Sequence, residues 1–164
     1  MNSPMDTSAF SGTTSWKPAD NLIASLAFPG RRVQEPLHEW RPLLLERLNE
    51  LCSLPAGWDG YAAPPVSFAN AYFALSMLDS ACPYGTPKPQ IVPGSNGDLQ
   101  IEWHTQRHDI ELHVRDTYDV NAWLLTSAAG DKGTEEHLVA DFRIVAVWLQ
   151  DILGETIASR SAAA

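Results

Sequence analysis

The sequence LQIEWHTQRHDIELHV, residues 99–114, alternates apolar and polar residues on both sides of a short polar segment. Alternation with a period of two predicts strands that each have one apolar and one polar face. Thr105 to His108 is short and polar enough to form the connecting turn. The stretch therefore predicts an antiparallel hairpin that is buried on one side.

The register of this hairpin follows from its hydrophobic pattern, because a slip of one residue would move every apolar side chain to the wrong face. The register that keeps them together sets Glu102 opposite Glu111. A further strand from about Asp119 to Thr126 would then place Trp123 on the polar face, opposite Glu111. A shorter strand near Ile91 precedes the hairpin, so the sequence predicts a meander of about four antiparallel strands.

Helical spacing of apolar residues returns on both sides of the meander. One helix is predicted from Pro42, a second from Ser67 to about Cys82, and a last one from about Thr134 to Leu153. Two N-terminal helices, grouped strands and a long C-terminal helix predict an α+β fold in which the last helix packs on the sheet.

The organisation along the chain is predicted from composition. Residues 1–35 are rich in Ser, Thr, Pro and Gly and are predicted to form a flexible N-terminal arm. Residues 36–154 are predicted to form a single α+β domain, and residues 155–164 a disordered tail.

The chain is acidic, with 11 Lys and Arg residues against 20 Asp and Glu residues and a formal charge of −9. Positive and negative residues balance within 1–35, so the folded part carries the whole net charge. This charge opposes direct binding to nucleic acid or to an anionic membrane and favours a protein partner with a basic surface. We find neither a long apolar segment nor an export signal, so a cytoplasmic location is expected. No cofactor motif is present.

The segment Gly57–Trp58–Asp59–Gly60–Tyr61 predicts a tight loop, since two glycines flank a tryptophan and an aspartate. One interpretation makes Asp59 a catalytic or ligand-binding acid, with Trp58 and Tyr61 as a stacking platform. The other makes Asp59 a hydrogen-bond acceptor within its own turn and Trp58 a plug between two helices. The second requires no chemistry to explain the pattern.

This loop, together with the strands that follow it, resembles a family of small uncharacterised bacterial proteins. The resemblance is carried by GWDGYAAPPVS at 57–67, by GDLQIEW at 97–103 and by IELHV at 110–114. It implies a bacterial origin and a shared α+β core, and it transfers no catalytic residue.

The predicted hairpin gathers two carboxylates and two histidines on its polar face. Glu102, Glu111, His104 and His113 could bind a divalent metal in a hydrolase, with Asp59 as a further acid. The alternative is a solvated face, because side chains on an open sheet diverge and a metal site needs convergent ligands. A third interpretation is a partner-binding face, to which Asp109 and the exposed Trp123 would contribute.

We therefore expect a non-catalytic interaction protein, of the kind that acts as an antitoxin, an immunity protein or a defence-associated accessory protein. The partner-binding set is predicted to be Glu102, His104, Asp109, Glu111, His113 and Trp123. Two alternatives remain: the metal-dependent hydrolase, and a structural subunit of a homo-oligomer that uses the apolar stripe of the last helix.

Overall fold

The computed structural model describes residues 38–128 and 132–162, and within them the chain forms three helices and one five-stranded antiparallel sheet. The predicted arm at 1–35 lies outside the described residues. The elements in chain order are α1 (Arg41–Cys52), α2 (Phe68–Ala81), β1 (Gln90–Pro93), β2 (Leu99–His104), β3 (His108–Asp116), β4 (Asp119–Thr126), β5 (Thr134–Leu138) and α3 (Arg143–Ala162). The predicted α+β class is confirmed.

The sheet is a simple meander in which each strand pairs with the next, in the order β1-β2-β3-β4-β5. The predicted register is confirmed, because Glu102 pairs with Glu111 and Trp123 lies opposite Glu111. Hydrophobic burial on one face thus fixed the strand alignment, as expected for a sheet with one wet side.

The core lies between one face of the sheet and the three helices. Its side chains come from every strand and every helix of the described chain. The fully buried large residues are Leu44, Leu48, Leu51, Leu75, Leu78, Leu99, Ile101, Ile110, Leu112, Leu149 and Ile152. The opposite face of the sheet therefore carries the polar half of the strand pattern.

The two N-terminal helices begin where the sequence predicts. Pro42 lies in the first turn of α1, and the Ser67 hydroxyl caps α2 by accepting the N–H of Asn70 at 3.1 Å. Two aromatic residues of α2, Phe68 and Tyr72, are exposed. The small Ala71 takes the buried position in that turn and lets the helix lie close to the sheet.

The predicted start of the last helix is wrong. Thr134 to Leu138 form β5, which pairs with β4 and sets Leu138 opposite Val120. The helix begins at Arg143, whose N–H is accepted by the Asp141 carboxylate at 3.0 Å. Thr134 and the acidic residues after it have the composition of a helix start, but the unpaired edge of β4 offers them backbone hydrogen bonds.

The predicted end of the domain at residue 154 is also wrong, because α3 continues through Ala162. The Glu155 carboxylate accepts the Thr105 hydroxyl at 2.9 Å and lies 3.1 Å from His108 Nδ1, which ties the helix to the β2–β3 turn. Residues 155–162, predicted as disordered tail, therefore belong to the fold, whereas 163–164 lie outside the described residues. None of the described helices combines the length and the apolar character that a membrane-spanning helix needs.

Candidate functional site

The candidate site is the face of the sheet that points away from the helices, here called the open face. Because side chains alternate along a strand, the pairing of the strands identifies its members. In β2 to β5 they are Gln100, Glu102, His104, Asp109, Glu111, His113, Arg115, Asp119, Asn121, Trp123, Leu125, Glu135 and His137. Five of these side chains are carboxylates and one is an arginine, so the open face is strongly acidic.

A single row of paired residues crosses the middle of the open face. It runs from Gln90 through Glu102, Glu111 and Trp123 to Glu135, one residue from each strand. The indole of Trp123 therefore lies between two glutamates on the neighbouring strands. An aromatic side chain flanked by carboxylates is suited to bind an apolar patch of another molecule that is bordered by cationic groups.

Gly133, which precedes β5, holds this indole in place. A Cβ atom at Gly133 would lie 2.2 Å from the Nε1 atom of Trp123. The backbone therefore approaches the ring more closely than a residue with a side chain would allow. Trp123 is half-buried as a result. One part of the ring is covered and the remainder faces solvent.

His104 bridges two of the acidic residues. Its Nε2 atom lies 3.1 Å from Glu102 Oε2, and its Nδ1 atom lies 3.0 Å from Asp109 Oδ1. Hydrogen bonds to the Glu102 and Asp109 carboxylates raise the pKa of His104 above its ordinary value. The imidazole thus offsets part of the repulsion between carboxylates on adjacent strands.

His113 pairs with a carboxylate that the sequence did not single out, Asp98. This aspartate is 7% exposed and also accepts the N–H of Asn96 at 2.9 Å. Burial raises the pKa of Asp98, but the hydrogen bonds from His113 and Asn96 outweigh burial and bring its pKa below the ordinary value. The only sequence signal was the position of Asp98, at the end of a Pro-Gly-Ser-Asn-Gly turn.

Replacing Asp98 with asparagine is expected to lower the free energy of unfolding by about 1–3 kcal/mol near neutral pH, because His113 and the turn lose a charged acceptor. Since the pKa of Asp98 is lowered in the folded protein, its contribution is complete above the ordinary value of 3.8 and is lost as the pH falls through the lowered value. Urea unfolding at about pH 5 and about pH 3 should show a deficit that narrows at the lower pH.

The matched control for this prediction is Asp151→Asn on the exposed surface of α3, which should change stability by less than about 0.5 kcal/mol. An Asp98→Asn deficit that is the same at both pH values would contradict the role assigned to this carboxylate.

The four residues proposed as a metal cluster do not form one site. His104 turns to Glu102 and Asp109, His113 turns to Asp98, and Glu111 accepts the amide of Gln100 at 2.8 Å. Across 38–128 and 132–162, no group of three or more His, Cys, Asp and Glu side chains is arranged to hold a metal ion. The convergence that the metal-site interpretation requires of Glu102, Glu111, His104 and His113 is therefore not present.

The predicted loop at 57–61 is built by its own hydrogen bonds. Asp59 Oδ1 accepts the N–H groups of Tyr61 at 2.9 Å and Ala63 at 3.2 Å, and Trp58 Nε1 donates to the Pro64 carbonyl at 3.0 Å. Gly57 takes a φ of 78°, as a loop of this kind requires. Asp59 thus has the role of a turn acceptor, whereas Trp58 is half-buried in the loop and does not plug the core.

The fifth strand contributes site residues that the sequence analysis assigned to a helix. His137 lies on the open face, where its Nε2 atom is 2.9 Å from Asp119 Oδ1, and Arg115 donates to the same carboxylate at 2.7 Å. Glu135 extends the central row beyond Trp123. A run of polar residues without alternating apolar ones does not predict a strand. Glu135 and His137 could therefore not be identified as site residues from the sequence pattern.

The two cysteines lie outside the open face and are unpaired thiols. Burial, together with the nearby Asp79 charge, raises the pKa of Cys82 to about 12, and burial also raises the pKa of Cys52. Both thiols therefore remain protonated at neutral pH, and a protonated thiol is a weak nucleophile.

Comparison with protein-family models, with curated proteins and with solved structures gives no match for this chain.

Proposed function

We propose that the protein is a non-catalytic interaction protein whose open face binds a basic surface of a partner protein. The observation that carries the proposal is the central row of the sheet, in which Trp123 lies between Glu111 and Glu135 on a face that no described helix covers. An aromatic anchor that becomes buried on binding, with polar groups around it, is the arrangement that concentrates binding energy in protein interfaces.

Electrostatics supports a basic partner. The carboxylates of the open face outnumber its single arginine, and that arginine is already engaged by Asp119. A complementary positive surface would be steered toward this face, and the association rate would fall as salt is added. Nucleic acid would be repelled by the same charges.

The backbone beneath the face supports a preformed surface. The strands that carry Glu102, Glu111 and Trp123 are paired on both sides and packed on the core by their alternate residues. A rigid surface loses little conformational entropy when it binds.

The cellular setting is part of the proposal. The resemblance of the loop and hairpin to a bacterial family supports a bacterial cytoplasmic protein that acts as an antitoxin, an immunity protein or a defence-associated accessory protein. A metal-dependent hydrolase gains no support, because its intended ligands bind one another in separate pairs.

Two charge reversals of equal size test the proposal. Immobilised Glu111→Lys domain should retain far less basic protein from a lysate of the source cells than wild type, because the central row loses a carboxylate and gains a cation. The control Glu46→Lys makes the same change on the exposed surface of α1 and should retain the wild-type amount. Quantitative mass spectrometry at low and moderate salt gives the comparison, after unfolding curves have shown that both variants are folded.

The comparison has a clear contrary outcome. Equal retention by Glu111→Lys and Glu46→Lys would overturn the proposal, since net charge alone would then explain the binding. Metal-dependent recovery of hydrolytic activity in the wild type would instead favour the hydrolase. Light scattering that showed a stable homo-oligomer would favour the structural subunit.

A further inference from the structure

The two edges of the sheet differ in how well they could pair with a further strand. Among the described residues, the outer side of β5 has no backbone partner, and its residues Thr134 to His137 are exposed. At the opposite edge, β1 ends in Pro93 and follows Pro87 and Pro89, and the Arg47 side chain reaches the Ile91 carbonyl. Proline lacks an N–H group, so β1 is a poor template for another strand, whereas β5 is a good one.

An apolar groove runs between the end of β5 and the start of α3. It has a volume of about 770 Å³, and its lining includes Leu138, Val139, Ile144 and Val147. Val139 and Val147 are 51% and 53% exposed, which is unusual for valine in a folded domain. The groove lies on the helix side of the sheet, beside the free edge.

The surroundings of this edge are acidic. Glu135 and Glu136 are exposed on β5, and Asp151 lies on α3 at the helical spacing that places it on the same side as Val147. Asp141 and Arg143 form an ion pair with each other, and Lys132 is the basic residue that precedes β5. The free edge therefore combines backbone hydrogen-bonding groups, an apolar groove and negative charge.

We infer that the partner supplies an extended segment of alternating basic and apolar residues, which pairs with β5 as a sixth strand. This inference rests on the proposed function and specifies how the partner would bind. Alternate side chains of an added strand point to opposite faces. The basic set would lie on the open face beside Glu135, and the apolar set would enter the groove over Val139 and Val147.

A second copy of this chain fits the edge less well. Antiparallel pairing of two β5 strands about their centres would set Glu136 opposite the same residue of the other copy, and like charges directly opposite each other destabilise a sheet. A basic segment removes this repulsion.

A seven-residue peptide of alternating valine and lysine, capped at both ends, provides the probe. It is titrated into the isotope-labelled full chain while amide shifts and amide hydrogen exchange are recorded by NMR. We expect shifts at 134–139 and at Val147. At a peptide concentration about ten times its Kd, exchange of the outward-facing amides of β5 should slow by about tenfold, because only the free protein exchanges. The same peptide with N-methyl groups at alternate residues should lose this protection.

Two variants test whether the peptide binds in the groove. Val147→Asn is expected to weaken peptide binding by about tenfold, since it places a polar amide in the apolar groove and leaves the net charge unchanged, at an exposed site that folding tolerates. The control Glu46→Lys on α1 should bind the peptide as the wild type does.

The outcomes separate this inference from the proposed function. Shifts confined to Glu102, Glu111 and Trp123, equal for both peptides, would overturn strand addition and leave the binding face in place. An absence of shifts on the edge and on the open face would overturn both. Protection of β5 that rises with protein concentration and without peptide would overturn the partner segment in favour of a second copy.

Discussion

Replacing Leu112 with alanine is expected to lower the free energy of unfolding by about 2–5 kcal/mol. Leu112 is fully buried on the central strand, where it lies between Ile101 and Ala122 and beneath the helices. The substitution removes apolar contacts and leaves a cavity that strands paired on both sides cannot close. For a domain whose whole stability is about 5–15 kcal/mol, this loss is large. Urea unfolding followed by circular dichroism measures it.

The same substitution on the other face is the control. Leu125→Ala removes the same atoms from β4, but Leu125 lies on the open face and is only half-buried. It should cost less than about 1 kcal/mol. Equal losses for the two variants would show that both faces are covered, which would contradict the description of an open face.

Replacing Trp123 with alanine is expected to weaken binding of the basic protein retained by the wild type by about 30-fold. The indole is the largest apolar group in the central row, and Gly133 holds it in a fixed position, so its contact area needs little ordering on binding. The unfolding free energy should change less than in Leu112→Ala, because Trp123 is half-buried on the polar side. Calorimetric titration of both proteins with that partner gives the affinity ratio.

An aromatic residue of the other candidate surface provides the control. Tyr61 is 90% exposed in the loop at 57–61, where a stacking platform was one interpretation of the sequence. Tyr61→Ala should leave the affinity unchanged. If Tyr61→Ala weakens binding while Trp123→Ala does not, the loop and not the sheet is the binding surface.

The hairpin shows what a sequence can predict about this fold. Ile101 and Leu112 alternate with polar neighbours, and one register alone buries all the apolar residues, so the sequence predicts the pairing of Glu102 with Glu111. The pairing of Val120 with Val114 on the buried face predicts in the same way that Trp123 lies opposite Glu111 on the polar face. Burial on one face is a strong constraint, and it made these predictions correct.

The fifth strand shows where such reasoning fails. Thr134 to His137 carry no apolar alternation, because this edge strand is exposed on both faces and its pairing depends on backbone hydrogen bonds to β4. Every residue except proline offers the same backbone donor and acceptor, so the side-chain pattern gives no signal of this pairing. Local composition then favoured a helix start, which tertiary pairing overrode.

The side-chain partners within the site were also beyond the sequence. The strand alternation correctly placed His104 and His113 on one face, but it could not show which carboxylates they would contact. His113 turns toward the β1–β2 turn and meets Asp98, and Glu111 turns to Gln100. These choices depend on rotamers and on distances of a few Å, so the predicted cluster separated into pairs.

The most direct test of a binding function at the open face is a map of the amides that the partner perturbs. The isotope-labelled full chain is titrated with the basic protein recovered by the wild-type domain, and shift changes are followed by NMR. The account predicts changes centred on Glu111, Trp123 and Glu135 that weaken as salt is added. Changes confined to α1, α2 or the loop at 57–61, with the open face unperturbed, would contradict it.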